Sequence, residues 1–187
     1  NVSTTPLARR VYYLGECMSK KKNVVTSFSL SSKQKGNILE KRFIELVSLG
    51  SDGRLSCFTP DSDDDGIDII INKKGDFSPI FIQVKSRFNK NANGTYSQDI
   101  GTNTFRVNEL FYLCFFLYDI DNYEIKTIWL VPSSDFKNKA VELNPKKYKQ
   151  KLRFAANPKD TSNDQWKEYK VKPKELGEKI MNIYENK

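Results

Sequence analysis

Histidine is missing altogether from this chain of 187 residues. That single absence removes Ser-His-Asp and Cys-His hydrolases, histidine-ligated zinc and histidine general bases. Any chemistry must then run on carboxylates, lysines, hydroxyls and a hard metal ion. Cysteine is scarce, and Cys17, Cys57 and Cys114 lie far apart in unrelated surroundings. They fit neither a disulfide framework nor a zinc motif, which predicts a reducing, cytoplasmic setting. No apolar run approaches the roughly 18 residues that a membrane-spanning helix needs. The longest patch, LFYLCFFLY over 110–118, has the length of a strand. Residues 1–30 hold no apolar signal-peptide core. The chain does not begin with Met, and MSKKKN at 18 resembles a second start, so residues 1–17 are expected to be dispensable.

What is present is basic and aromatic. Lys and Arg total 31 against 23 Asp and Glu, a net charge of +8, with a pI near 9.3. An anionic partner is the natural expectation, and nucleic acid is the commonest one for such a chain. Twelve Phe, nine Tyr and two Trp within 38% hydrophobic residues supply the volume for a core. The length suits one domain, expected over 35–187, behind a polar extension at 1–34 that is partly dispensable.

The stretch GNILEKRFIELVSLG (36–50) has the clearest helical period. Leu39, Phe43, Leu46 and Val47 share a face, and Gly50 is a stop signal. RLSCF (54–58) reads as a short strand ended by Pro60. GIDIIIN (66–72) and PIFIQVKSRF (79–88) read as a hairpin joined by KKGDFS. A polar linker is expected over 89–103, then strands near 110–118 and 125–131. PSSDF (132–136) reads as a helix-capping turn, 144–167 as a lysine-rich irregular stretch, and the C-terminal KPKELGEKIMNIYENK as an amphipathic helix. This order of elements predicts an α/β or α+β domain around a mixed sheet.

The segment DSDDDGIDIII (61–71) raises two readings. Asp61, Asp63, Asp65 and Gly66 match the start of a calcium loop. Position twelve is Asn72 rather than Glu, position eight is Asp68 rather than an aliphatic residue, and Pro60 stands where a helix should enter. The flanks therefore argue against calcium, and Asp61 to Asp65 read as a solvated turn. Asp68 differs, because alternation places it within a strand, opposite in face to Ile67, Ile69 and Ile71. A carboxylate there needs a wet edge or a cationic partner.

On the partner strand, Gln83 and Lys85 share one face, and Ile82 and Val84 the other. Hairpin pairing would bring Asp68, Gln83 and Lys85 together near one end of the sheet. A carboxylate, an amide oxygen and the Val84 carbonyl suit Mg²⁺, which retains waters and takes few protein ligands. Glu40 lies at the flank of the helix's apolar stripe, the side that packs, whereas Lys41 and Glu45 lie opposite.

Gly36-Asn37-Ile38-Leu39-Glu40, Asp65-Gly66-Ile67-Asp68 and Gln83-Val84-Lys85, in that order, resemble the PD-(D/E)XK nuclease superfamily. The likeness is closest to uncharacterised bacterial members with G-x-x-x-E, D-G-x-D and Q-x-K, and more distant to archaeal Holliday junction resolvases. WLVPS (129–133) and QWKEYKVKPKEL add to it, so the resemblance spans roughly 35–185, with the catalytic motifs confined to 36–87. It implies a restriction-endonuclease-like α/β core, a mixed central β-sheet flanked by helices, and metal-dependent endonuclease cleavage of DNA with Mg²⁺ or Mn²⁺. By the same resemblance Asp68 is the main metal ligand, Gln83 and the Val84 carbonyl are further ligands, Lys85 is the catalytic lysine and Glu40 an auxiliary acid. Gln83 departs from the commoner Glu, and a neutral ligand weakens metal binding. The alternative is a catalytically inactive nucleic-acid-binding module on the same fold.

Basic residues flank these motifs. Lys33, Lys35, Lys41 and Arg42 surround the first helix, and Arg87 and Lys90 follow the strand of Lys85. Lys146, Lys147, Lys149, Lys151 and Arg153 interleave with Tyr148 and Phe154. Phosphate contacts from such residues give salt-dependent, largely sequence-independent affinity. A homodimer is expected, since cutting both strands of a duplex calls for two sites. Deleting residues 1–17 is expected to leave the thermal unfolding midpoint unchanged when followed by circular dichroism; a clear fall would show that the segment packs on the domain.

Overall fold

The computed structural model describes residues 30–62, 65–143, 146 and 150–186. The N-terminal segment with Cys17, Asp63 and Asp64 of the aspartate run, and Lys147, Tyr148 and Lys149 of the lysine run lie outside the described residues. Helix α1 (Ser32–Gly50) starts ahead of the expected Gly36 because Ser31 and Gln34 cap it reciprocally, each side chain bonded to the other's backbone N–H. Leu39, Phe43 and Val47 form its fully buried face.

Strands β1 (Leu55–Phe58), β2 (Ile69–Lys73) and β3 (Ile80–Arg87) follow as an antiparallel meander. After β4 (Tyr96–Gly101) come β5 (Phe111–Asp119), parallel to β3, and β6 (Glu124–Pro132), antiparallel to β5. Helix α2 (Ser133–Lys139), β7 (Val141–Glu142), β8 (Lys151–Ala156), β9 (Lys170–Val171) and α3 (Leu176–Glu185) complete the described order, with single turns of 3-10 helix at 167–169 and 173–175. The main sheet is mixed, in the order β1-β2-β3-β5-β6-β9, and a small sheet runs β4-β8-β7. Among the described residues no helix is long and apolar enough to cross a membrane.

Two cores lie on opposite faces of the main sheet. On one face Ile69, Ile71, Ile80, Ile82, Cys114 and Phe116 pack under α1 and α3. On the other, Leu113, Phe115 and Trp129 meet Tyr96, Phe154 and Trp166. Alternate residues of β5 feed each core, which explains its unbroken apolar run: a central strand covered on both sides has no polar face. Burial of Cys114 in the first core pushes its thiol well up from the ordinary range.

Two expectations are corrected. The polar linker at 89–103 contains β4, held by Tyr96 and Ile100, which are buried while Ser97 and Asp99 alternate with them. Two apolar residues suffice because each fills a deep site. The stretch at 144–167 contains β8, whose Leu152, Phe154 and Ala156 point inward. Phe154 is not a surface aromatic among lysines; it stacks on Phe115 with ring centroids 4.0 Å apart.

Helix α3 begins hard against the end of α1. A Cβ on Gly177 would lie 2.4 Å from the carbonyl carbon of Gly50 and 2.6 Å from the Ser51 nitrogen. Both are backbone atoms and cannot rotate away. Gly177→Ala is expected to destabilise the fold by about 1–3 kcal/mol through overpacking, read as a lower urea midpoint with an unchanged slope.

Candidate active site

The ladder between β2 and β3 ends with Ile69 opposite Ile82. Beyond it the β2-facing side of β3 has no strand partner, while β5 still pairs its other side, and Asp68 substitutes for one. Its N–H donates to the Ile82 carbonyl at 2.9 Å, and its Oδ2 accepts from the Val84 N–H at 2.6 Å. Asp68 thus sits one step before the regular strand rather than inside it. The N–H and C=O of one strand residue leave on the same side, so the Val84 carbonyl also faces the Asp68 side.

Two adjoining clefts open here, of about 320 and 500 Å³. Gly36, Glu40 and Asp68 line both and form their shared wall. Lys85, Val84 and Ser86 line the smaller cleft together with Lys35 from α1 and Gln98 from β4. Lys33, Pro60 and Asp61 line the larger. Glu40 reaches this wall because it flanks the buried stripe of α1, half-buried itself, one residue from Leu39. The carbonyl of Lys85 accepts the Tyr96 hydroxyl at 3.3 Å, which ties the site's strand to the small sheet.

Gln83 stands apart from this cleft wall. It is 5% exposed, and its amide nitrogen lies toward Gly66 and Thr104: a Cβ on Gly66 would come within 2.8 Å of Nε2 and 3.0 Å of Thr104 Oγ1. Gly66 also has φ +68°, so glycine is required there twice over. The Gln83 Oε1 atom is buried without a hydrogen-bond partner, an arrangement that asks for a donor or a cation. Among the described residues no three His, Cys, Asp or Glu side chains cluster as a metal site. A divalent ion here would rest on few carboxylates plus amide and carbonyl oxygens, a donor set that suits Mg²⁺ or Mn²⁺.

The remaining basic candidates scatter. Lys41 is exposed and Arg42 pairs with Glu45 at 2.7 Å, away from the cleft-lining face of α1. Lys90 borders a separate hollow with Phe88 and Asp121. Arg87 lies nearer the site, donating to Asn91 Oδ1 at 2.8 Å and to Gln98 Oε1 at 3.4 Å. Sequence reasoning missed Gln98, and the alternation of Tyr96 and Ile100 was the signal that could have found it. The calcium reading fares no better than its flanks: among the described residues it is β1, ending at Phe58, that leads into the aspartate run, not a helix, and β2 that follows it.

No protein-family model matches the chain, and no curated protein does. A solved structure of a bacterial homing endonuclease, I-Ssp6803I, aligns with a TM-score of 0.53 and 16% identity, covering 84% of this chain and 99% of the endonuclease. The two share a fold. At that identity the likeness concerns the mixed sheet and its flanking helices.

In the small sheet, Arg153 grips Asp99 through two hydrogen bonds, Nε to Oδ1 at 2.7 Å and Nη2 to Oδ2 at 3.0 Å. The hydrogen bond from Arg153 holds the Asp99 carboxyl below its ordinary range, with Lys151 and Arg87 adding to the effect through their charge. A depressed carboxyl contributes stability above the unfolded value near 3.9 and loses it as pH falls through the folded value. The pair is partly exposed, so solvent screening keeps its contribution to about 0.2–1 kcal/mol. Asp99→Asn is expected to lower stability by that amount at neutral pH and to match the wild type in acid below the carboxyl range. Urea titrations at both pH values check this.

Proposed function

We propose that the chain is a metal-dependent endonuclease of the PD-(D/E)XK kind that hydrolyses DNA phosphodiester bonds. The observation that carries this reading is the convergence of Glu40, Asp68 and Lys85 on one cleft, where Asp68 is fastened to the Val84 N–H. The endonuclease-like fold and the net positive charge support it. Asp68, Gln83 and the Val84 carbonyl are the candidate ligands of Mg²⁺ or Mn²⁺, with Glu40 as the auxiliary acid. The orphaned Gln83 oxygen fits such an ion. A bound divalent ion supplies Lewis-acid polarisation of the phosphate and a more acidic water.

The protein's own part is positioning and charge. The Val84 N–H fixes the Asp68 carboxylate, so the ligand does not have to be ordered when substrate arrives. The Lys85 ammonium orients the attacking water and offsets the charge that develops on the phosphoryl oxygens. Water adds to phosphorus and gives up a proton to solvent, one bridging P–O bond breaks, and the departing oxygen takes a proton from solvent. Lys35 adds positive potential to the cleft, and Arg87 holds its outer side. Lys41, Arg42 and Lys90 serve as more distant phosphate contacts, and two copies of the chain would cut both strands of a duplex in a cytoplasmic setting.

Asp68→Ala and Lys85→Ala are each expected to lower Mg²⁺-dependent nicking of supercoiled plasmid by about 100-fold or more, with the circular dichroism spectrum unchanged; Asp68→Ala also lowers the melting midpoint, because the Val84 N–H loses its acceptor, whereas Lys85→Ala leaves it unchanged. Cleavage that survives both substitutions would overturn the assignment of this site. The neutral Gln83 favours a second reading, a binding module without turnover. That reading predicts salt-sensitive binding and no cut product in Mg²⁺ or Mn²⁺ on duplex, branched or single-stranded DNA.

A further inference from the structure

The core around Phe115 and Trp129 is left uncovered at one end. Phe81 on β3 and Phe111 on β5 stand side by side in the parallel register. Phe81 and Ile67 pack against that core yet are only half-buried. With Phe111 they form the apolar lining of a pocket of about 250 Å³. Phe105 packs on Phe111, with ring centroids 6.2 Å apart, and keeps that ring in place. Pockets for drug-sized ligands run to about 300–1,000 Å³, so this one suits a single planar ring system. Ile67 also lines the larger cleft, together with Glu40 and Asp68. The pocket and the candidate active site therefore share a wall.

The rim carries opposite charges that do not meet. Asp65 and Arg106 both line the pocket and both are exposed, and among the described residues no ion pair joins them. Gly66, at φ +68°, turns the chain so that Asp65 lines the pocket while Asp68 lines the clefts. Arg106 is held from one side, its Nη1 donating to the carbonyls of Asn103 and Phe105, both at 2.8 Å. Its Nε and Nη2 donors are left for a ligand. Asn108, also on the rim, is fixed as well. Its Oδ1 accepts the Leu110 N–H at 2.8 Å, its N–H donates to Ser133 Oγ at 2.9 Å, and its carbonyl accepts from the same hydroxyl at 2.7 Å. The Asn108 Nδ2 group is then a further donor. A ligand that bridges this rim needs a donor edge and an acceptor edge on one flat ring system. Among the DNA bases only guanine presents two adjacent donors, N1–H and N2–H, beside two adjacent acceptors, O6 and N7. The first pair matches a carboxylate and the second the fork of an arginine.

We propose that this pocket receives one unpaired guanine of the DNA strand whose backbone runs through the cleft. Phe81, Phe111 and Ile67 take the faces of the base, Asp65 its N1–H and N2–H, and Arg106 with Asn108 its O6 and N7. A base pair occupies N1–H and N2–H, so the guanine has to be out of its pair, which costs least where it has no partner to begin with. This rests on the nuclease reading for its partner and adds a base preference that phosphate contacts do not carry.

The test is fluorescence anisotropy with the full chain in EDTA, so that no strand is cut. The labelled duplexes differ in one bulged base: guanine, hypoxanthine without the 2-amino group, 7-deazaguanine without N7, or adenine. Wild type should bind bulged guanine roughly tenfold more tightly than bulged adenine, the size of one lost bidentate contact, with the two analogues between. Asp65→Asn removes a negative charge, which by charge alone would tighten binding to every duplex. The pocket predicts the opposite for bulged guanine, whose affinity should fall while its preference over hypoxanthine disappears. Arg106→Gln should erase the preference over 7-deazaguanine. Melting midpoints check that both variants fold. Equal affinity for the four duplexes would overturn the pocket, as would no binding to any of them or wild-type selectivity in Asp65→Asn. Displacement by free dGMP at concentrations as low as those of the bulged duplex would also overturn it, since that marks a free-nucleotide site. Cleavage is read separately in Mg²⁺. Guanine selectivity that depends on Asp65 in a chain that cuts nothing sinks the nuclease reading and leaves the pocket standing; cutting without base preference does the reverse.

Discussion

Strand β5 is apolar on both faces, and the architecture follows from having to cover it twice. Cys114 and Phe116 require a layer on one side, which α1 and α3 provide. Leu113, Phe115 and Leu117 require another on the opposite side, which the small sheet and Trp166 provide. With β3 running parallel beside β5, the chain between them has to cross over, and the crossing segment becomes β4. The cleft lies where these layers part at the start of β2, so its walls come from α1, β3 and β4 together.

The start of β2 is also the place where backbone and side-chain chemistry meet. A strand that stops short leaves its neighbour's N–H without a partner, and an unpaired buried N–H is costly. Asp68 answers that cost with its carboxylate. One hydrogen bond therefore finishes the ladder and fastens an acid at the mouth of a cleft. The same economy recurs in Asp99, whose carboxylate orders the Arg153 guanidinium through two hydrogen bonds.

The fold likeness to a homing endonuclease and the absence of any family match are compatible. At 16% identity a fold can persist through its layer architecture alone, whereas a chemical role lives in particular side chains. The proposal for this chain accordingly rests on Glu40, Asp68 and Lys85 and their setting.

Local pattern alone determined much of the molecule. The 3.6-residue period placed α1 and put Glu40 at its packing edge. Strand alternation placed β2, β3, β5 and β6 and put Gln83 and Lys85 on one face, because period and propensity act over a few neighbouring residues. Tertiary structure decided the rest. β4 and β8 carry few apolar residues and become strands only because Tyr96 and Phe154 find deep sites against β5. Gln83 and Lys85 share a face, yet the loop at Gly66 and Thr104 covers one and not the other. Gln98 joins the cleft from a segment that reads as a linker. No local signal encodes which distant segment will cover a given face; that depends on the packing of whole layers.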